Sequence, residues 1–75
     1  MPPRRHRENA ATALGRRIRQ LRHAKGWSQE HLAEHAELDR RCVAGIELGD
    51  RNPFPKALQR LAKALRVRLS ELFTE

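Results

Sequence analysis

Apolar residues fall at helical intervals along most of this chain. Ala11, Leu14, Ile18 and Leu21 recur at i, i+3, i+7 and i+10, which makes one stripe of an amphipathic helix. Asn9 is its expected N-cap, because its side chain accepts from a free backbone N–H. Gly26 is the expected stop, since glycine takes positive φ without a Cβ penalty. Arg16, Arg17, Arg19 and Lys25 cover the outer faces. A short second helix is expected over about 28–36, capped by Ser28, with Leu32, Ala33 and Ala36 as its apolar face. The small Ala33 predicts a closely packed neighbour. Glu37 and Leu38 interrupt the period. Asp39 then caps a third helix over about 39–48, with Val43 and Ile46 inward and Gly49 at its end. Pro53 forces Asn52 out of the α region, so residues 50–53 form a turn. A fourth helix is expected over roughly 55–66, with Leu58, Leu61, Ala62 and Leu65 inward. The stretch LSELF closes the chain as a short fifth, carrying Leu69, Leu72 and Phe73. No segment is β-rich and no repeat is present. The expected fold class is all-α, built of five short helices.

The chain has 75 residues, which is one small domain near the lower size at which a hydrophobic core alone holds a fold. That domain is expected over residues 9–75, behind a basic arm of residues 1–8. In MPPRRHRE, Pro2 and Pro3 resist helix while Arg4, Arg5 and Arg7 repel one another, so the arm is expected to be disordered. It is either a solvated tail or a segment that touches phosphates or enters a minor groove. Lys and Arg number 16 against 9 Asp and Glu, a net charge of +7. So small and basic a domain points to a polyanion, nucleic acid first and an acidic membrane second. No long apolar run exists to span a bilayer, and MPPRRHRE has no apolar stretch behind it to make a secretory signal. The single cysteine, Cys42, cannot form an internal disulfide, which fits a reducing cytoplasm. It reads as a small packed residue, not as a redox sensor.

One motif competes with this picture. Residues 31–35 spell HLAEH, the H-x-x-E-H pattern in which two imidazoles and a carboxylate share a helix face around zinc. A third ligand is hard to find, because Cys42 is the only cysteine and His6 and His23 lie on other segments. A metalloprotease also needs a cleft and substrate-binding walls, for which so short a chain leaves little room. His31 and His35 fall beside the apolar stripe and are expected at the surface. Ser28 with its nearby histidines lacks the supporting loops of a hydrolase. No metal, no cofactor and no enzymatic activity are expected.

Two short helices joined by a tight turn, on a basic chain, suggest a helix-turn-helix DNA reader. Here the residues carry a family likeness. LGRRIRQLR, the K-G-x-S-Q-E-x-L-A run, the I-E-x-G close of helix three, the R-N-P turn, and LAKAL with LSELF together resemble the Xre family of phage-repressor-like helix-turn-helix proteins, over about residues 13–73. The resemblance places HLAEH in the middle of helix two, with Leu32 and Ala33 facing the core. It implies that Ser28 caps that helix at the phosphate-facing end. It also implies that Gln29 contacts a phosphate and braces the recognition helix. Arg40 and Arg41 take the first turn of helix three, where the family reads base edges, and Ala44 and Gly45 are the next outward positions. Arg51 and Asn52 match a loop that touches the phosphate backbone. Arg22 and Glu47 match a pair that links helices one and three. An arginine guanidinium binds guanine O6 and N7 bidentately, which suits Arg40 and Arg41; plain phosphate contact or a solvated face is the other reading of them.

The departures from the family pattern are also informative. Glu37 stands in the turn between helices two and three, where glycine is usual, so strain or a different turn is expected. Gly45 replaces a long polar reader. Arg68 stands where a cap is common, so the fifth helix is expected to start poorly. The function implied is a sequence-specific transcriptional regulator, a repressor or controller, that binds a palindromic operator as a homodimer. Leu69, Leu72 and Phe73 are the expected dimer surface. An antitoxin that also binds a toxin partner is one alternative, and a protein-interaction module without DNA binding is another. Because the sequence stops after LSELF, regulation by concentration, by a partner or by proteolysis is expected in place of an attached effector domain.

Overall fold

The structure, a computed structural model, describes residues 10–50 and 53–74. The basic arm of residues 1–8, the Asn9 cap and the Arg51–Asn52 loop lie outside the described residues. Helix α1 spans Ala10–Ala24, α2 Gln29–Ala36, α3 Arg40–Leu48 and α4 Pro55–Leu65. The chain is all-helical among the described residues. The expectation of five helices is corrected to four α-helices and a 3-10 helix, Leu69–Phe73. Five residues are too few to build a run of i→i−4 bonds, and the Glu71 amide instead donates to the Arg68 carbonyl three residues back. Its start is supported from the other direction, because the Glu71 carboxylate accepts from the Arg68 amide at 2.9 Å.

Local chemistry sets the helix ends. Gly26, at φ 71°, turns the chain out of α1, while the Lys25 and Trp27 amides close on the Arg22 carbonyl. The Ser28 hydroxyl accepts from the His31 amide at 3.0 Å, and an Asp39 carboxylate oxygen accepts from the Arg41 amide at 2.9 Å. Gly49, at φ 78°, ends α3. Pro55 at the first turn of α4 has no N–H to leave unpaired. Two other ends are made without glycine. Glu37 closes α2 at φ 59° and Arg66 closes α4 at φ 60°, both left-handed. Each costs about 1–2 kcal/mol relative to an ordinary backbone conformation. The unusual Glu37 therefore does not change the turn; it adopts the conformation that glycine would have taken.

The core gathers Leu14, Ile18, Leu32, Ala33, Ala36, Val43, Ile46, Leu61, Ala62, Leu65 and Leu72. None of the helices is long enough to persist alone, so this shared burial holds them. Ala57 is buried where Leu58 is only partly so. Leu72 is wholly buried, whereas Leu69 and Phe73 are exposed. This corrects the expected dimer surface, since Leu72 is spent on the core and no partner can reach it. Gly15 is the position where α1 meets α3. A Cβ built there would stand 2.3 Å from the Ile46 carbonyl oxygen and 2.7 Å from that of Glu47, so only glycine allows this approach. No helix of the described residues is long and apolar enough to cross a membrane.

Candidate nucleic-acid interface

Helix α3 is held from one side and left open on the other. Val43 and Ile46 are buried at the spacing of one helical turn and fix its inner face. At 100° per residue, Arg41, Ala44, Gly45 and Leu48 fall on the opposite face, with Arg40 at its edge. Arg40 and Arg41 are exposed, and neither has an ion pair among the described residues. Ala44 and Gly45 are half-buried. They add no long side chain, so the middle of α3 is a low surface between the two arginines and Leu48. Leu48 is 72% exposed on that same face and was not singled out by sequence reasoning. Its place at i+7 from Arg41 was the available signal.

A polar node fixes how α3 is presented. Arg22 on α1 is only 7% exposed. Its Nε donates to one Glu47 oxygen at 2.7 Å and its Nη2 to the other at 2.9 Å. Nη1 donates to the Trp27 carbonyl in the α1–α2 turn at 2.8 Å. Gln29, the first residue of α2, donates from Nε2 to Glu47 at 3.0 Å. One carboxylate on α3 therefore joins α1 to α2, and Arg22 adds the turn between them. Arg22 is held above its ordinary pKa, mainly by the hydrogen bond to Glu47, with burial opposing and the Glu47 charge adding. Among the described residues no buried side-chain nitrogen or oxygen is left without a partner, as a sound buried network requires. Gln29 thus stands in the bracing position, with its carbonyl oxygen not used by this bond. Ser28 sits beside it at the N-terminal end of α2, exposed. Arg51 and Asn52 lie outside the described residues.

His31 and His35 are exposed on α2. Their rings stack at 4.5 Å with planes 11° apart, and the Trp27 ring lies 4.6 Å from each. Lys25 sits 5.2 Å from the Trp27 ring centre. The histidines thus continue an aromatic ladder and lie side by side, while chelation needs ring nitrogens that converge on one point. No group of three or more His, Cys, Asp or Glu side chains is placed to hold a metal ion among the described residues. Cys42 is half-buried and packs against the core.

Comparison with known proteins gives a consistent result. A family model described as a helix-turn-helix domain matches residues 13–72. The controller protein C.AhdI of a restriction-modification system, from Aeromonas hydrophila, superposes with a TM-score of 0.82 at 46% identity, covering 84% of this chain and 96% of that one. The control protein C.MunI from a Mycoplasma species is 37% identical over 63 residues, 83% of this chain and 85% of that protein. A competence pilus inhibition repressor of Acinetobacter baylyi is 33% identical over 60 residues, 80% of this chain; the chain spans 54% of that repressor's length. The matched span takes in both caps, the α2–α3 pair and the Arg22–Glu47 node, and the chain belongs to the helix-turn-helix domain family, as its Xre-like sequence elements indicate.

Proposed function

We propose that this protein is a sequence-specific DNA-binding transcriptional regulator, a repressor or controller, that reads a palindromic operator in the major groove as a homodimer. The observation that carries this reading is the state of α3. Its inner face and its one carboxylate are locked, while Arg40 and Arg41 have no ion pair among the described residues and stand exposed at its N-terminal turn, the end that enters the groove in helix-turn-helix proteins. Arg40 and Arg41 contact base edges, guanine being the preferred partner. Ala44 and Gly45 let the helix approach closely, and Leu48 adds an apolar contact for a thymine methyl. Ser28 and Gln29 hold phosphates from the N-terminus of α2, where the helix dipole favours anions. Arg51 and Asn52 hold phosphates from the loop before α4. The net charge of +7 favours the encounter. The relatives named as control proteins and as a repressor support a regulatory role, exercised where DNA is transcribed, in the cytoplasm.

The dimer uses the apolar residues that the fold leaves outside. Leu69 and Phe73 remain from the expected set, and Phe54, 75% exposed at the start of α4, joins them. One helix-turn-helix contacts few base pairs, so two half-sites about 34 Å apart supply the specificity. A salt-dependent gel shift on genomic fragments, followed by selection of the bound fragments, tests the reading. The expected result is a small set of palindromic sites, bound by two chains, over a background whose affinity falls steeply with salt. Uniform weak binding to every fragment would contradict it.

A further inference from the structure

The two left-handed helix ends without glycine, Glu37 and Arg66, are the only positive-φ non-glycine residues described, and they line the same cleft. It measures about 430 Å³ and opens between the C-terminal ends of α2 and α4. Its walls are His35, Glu37, Arg60, Lys63 and Arg66, over a floor of Ala36 and Ala64. Three permanently cationic residues and one acidic residue line it. Arg60 donates to the Glu37 carbonyl at 3.3 Å, and none of Arg60, Lys63 and Arg66 has an ion pair among the described residues. Glycine would satisfy the backbone at both ends without strain but would bring no charge to the cleft. Strained positions that persist in pairs around one cavity point to a use for their side chains.

We infer that this cleft is a docking site for an acidic segment of a protein partner, held by Arg60, Lys63 and Arg66. The lining decides among anions. A nucleotide needs an apolar or aromatic wall for its base; besides two alanines the cleft has one ring, that of His35, which is already packed against His31 and Trp27. A membrane surface needs a side chain to bury in it, and none is offered. In the reading above the base contacts come from the Arg41–Leu48 face of α3, no residue of which lines the cleft, and the phosphate contacts come from the opposite ends of α2 and α4. At 1.5 Å per residue, those ends lie about 10 and 15 Å from the cleft along the helices. The short alanine floor lets an extended main chain lie low enough for its carboxylates to meet the flanking cations in charge-assisted hydrogen bonds. The inference stands apart from DNA binding and is tested without DNA.

The test is an NMR titration of the whole chain with a hexaglutamate peptide, with Trp27 emission followed in parallel. Trp27 is the only tryptophan, and its ring packs at a tilt against His35, which lines the cleft. Saturable shifts are expected at the amides of Ala36, Glu37, Ala64 and Arg66. Arg60→Gln with Lys63→Gln should weaken the peptide about tenfold, since each exposed ion pair is worth up to about 1 kcal/mol. Removing the same charge elsewhere, by Arg19→Gln with Lys56→Gln, should change affinity less than about twofold. Arg66→Gly should bind the peptide more weakly and yet melt higher, because it loses a cation and relieves the backbone. The inference is overturned if no saturable shift occurs, if both double variants weaken the peptide equally, or if Arg66→Gly keeps full affinity. Inorganic triphosphate that binds the cleft as tightly as the peptide also overturns it, by making the site one for free oxyanions.

Discussion

Arg22 and Arg41 are both helical arginines of one small domain, and the structure uses them in opposite ways. Arg22 is buried and directs its guanidinium at two Glu47 oxygens and a backbone carbonyl. Arg41 is exposed, and among the described residues only its backbone amide is engaged, by the Asp39 cap. The first is a structural member whose charge is fully satisfied inside the protein. The second leaves its guanidinium donors at the surface. Arginine suits both tasks, because its planar fork binds a carboxylate or a guanine edge with the same pair of parallel bonds. What separates them is whether the fold has already supplied the acceptor.

The largest effect should come from breaking the locked arginine. Glu47→Ala strands the buried Arg22 charge, an uncompensated loss of about 3–5 kcal/mol, which is a large share of the stability of a domain this size. Thermal melts should place Glu47→Ala far below Arg41→Ala, which should melt close to the parent. Equal melting points would show that the node carries no weight. Next comes the backbone contact beside it. Gly15→Ala drives a methyl into the Ile46 and Glu47 carbonyls, which neither helix can avoid without moving. A loss of about 1–3 kcal/mol is expected from overpacking, read by denaturant midpoint. A neutral Gly15→Ala would mean that α1 and α3 are less tightly joined than their spacing implies. The exposed ladder should matter least. His31→Ala with His35→Ala removes stacking on Trp27, worth about 0.5–1.5 kcal/mol for a buried pair and less in solvent. Stability should fall by no more than the lower figure, with operator affinity unchanged. Stoichiometric zinc on the purified parent, lost in this double variant, would show that HLAEH is a metal site after all.

How much of this was legible in the sequence depended on the range of the interaction. The caps Ser28 and Asp39 and the stops Gly26 and Gly49 were readable, because each acts on backbone atoms two or three residues away. The inward stripes of α2 and α3 followed from period alone. The division of LSELF did not. In a 3-10 helix with three residues per turn, Leu69 and Leu72 share a side, yet Leu72 is buried and Leu69 exposed, so tertiary contact and not period made the choice. Gly15 read only as part of a family motif, because periodicity identifies a face but not the distance to its neighbour. The Arg22–Glu47 pair, 25 residues apart, was expected only through resemblance. Gln29 as a third contributor to it, and Phe54 as an exposed apolar residue, needed the fold itself, whereas Leu48 could have been placed from its spacing to Arg41.

The separation between locked and open arginines is tested most directly by titrating Arg41→Ala on the selected operator and on a scrambled duplex at several salt concentrations. Loss of a base contact should cost about 1–3 kcal/mol per half-site on operator and much less on scrambled DNA. The ratio of the two affinities should therefore shrink, and preference at one position of each half-site should relax. If Arg41→Ala instead weakens both duplexes equally and flattens the dependence of log K on log salt by about one counterion per chain, the residue holds phosphate and α3 does not read sequence through it.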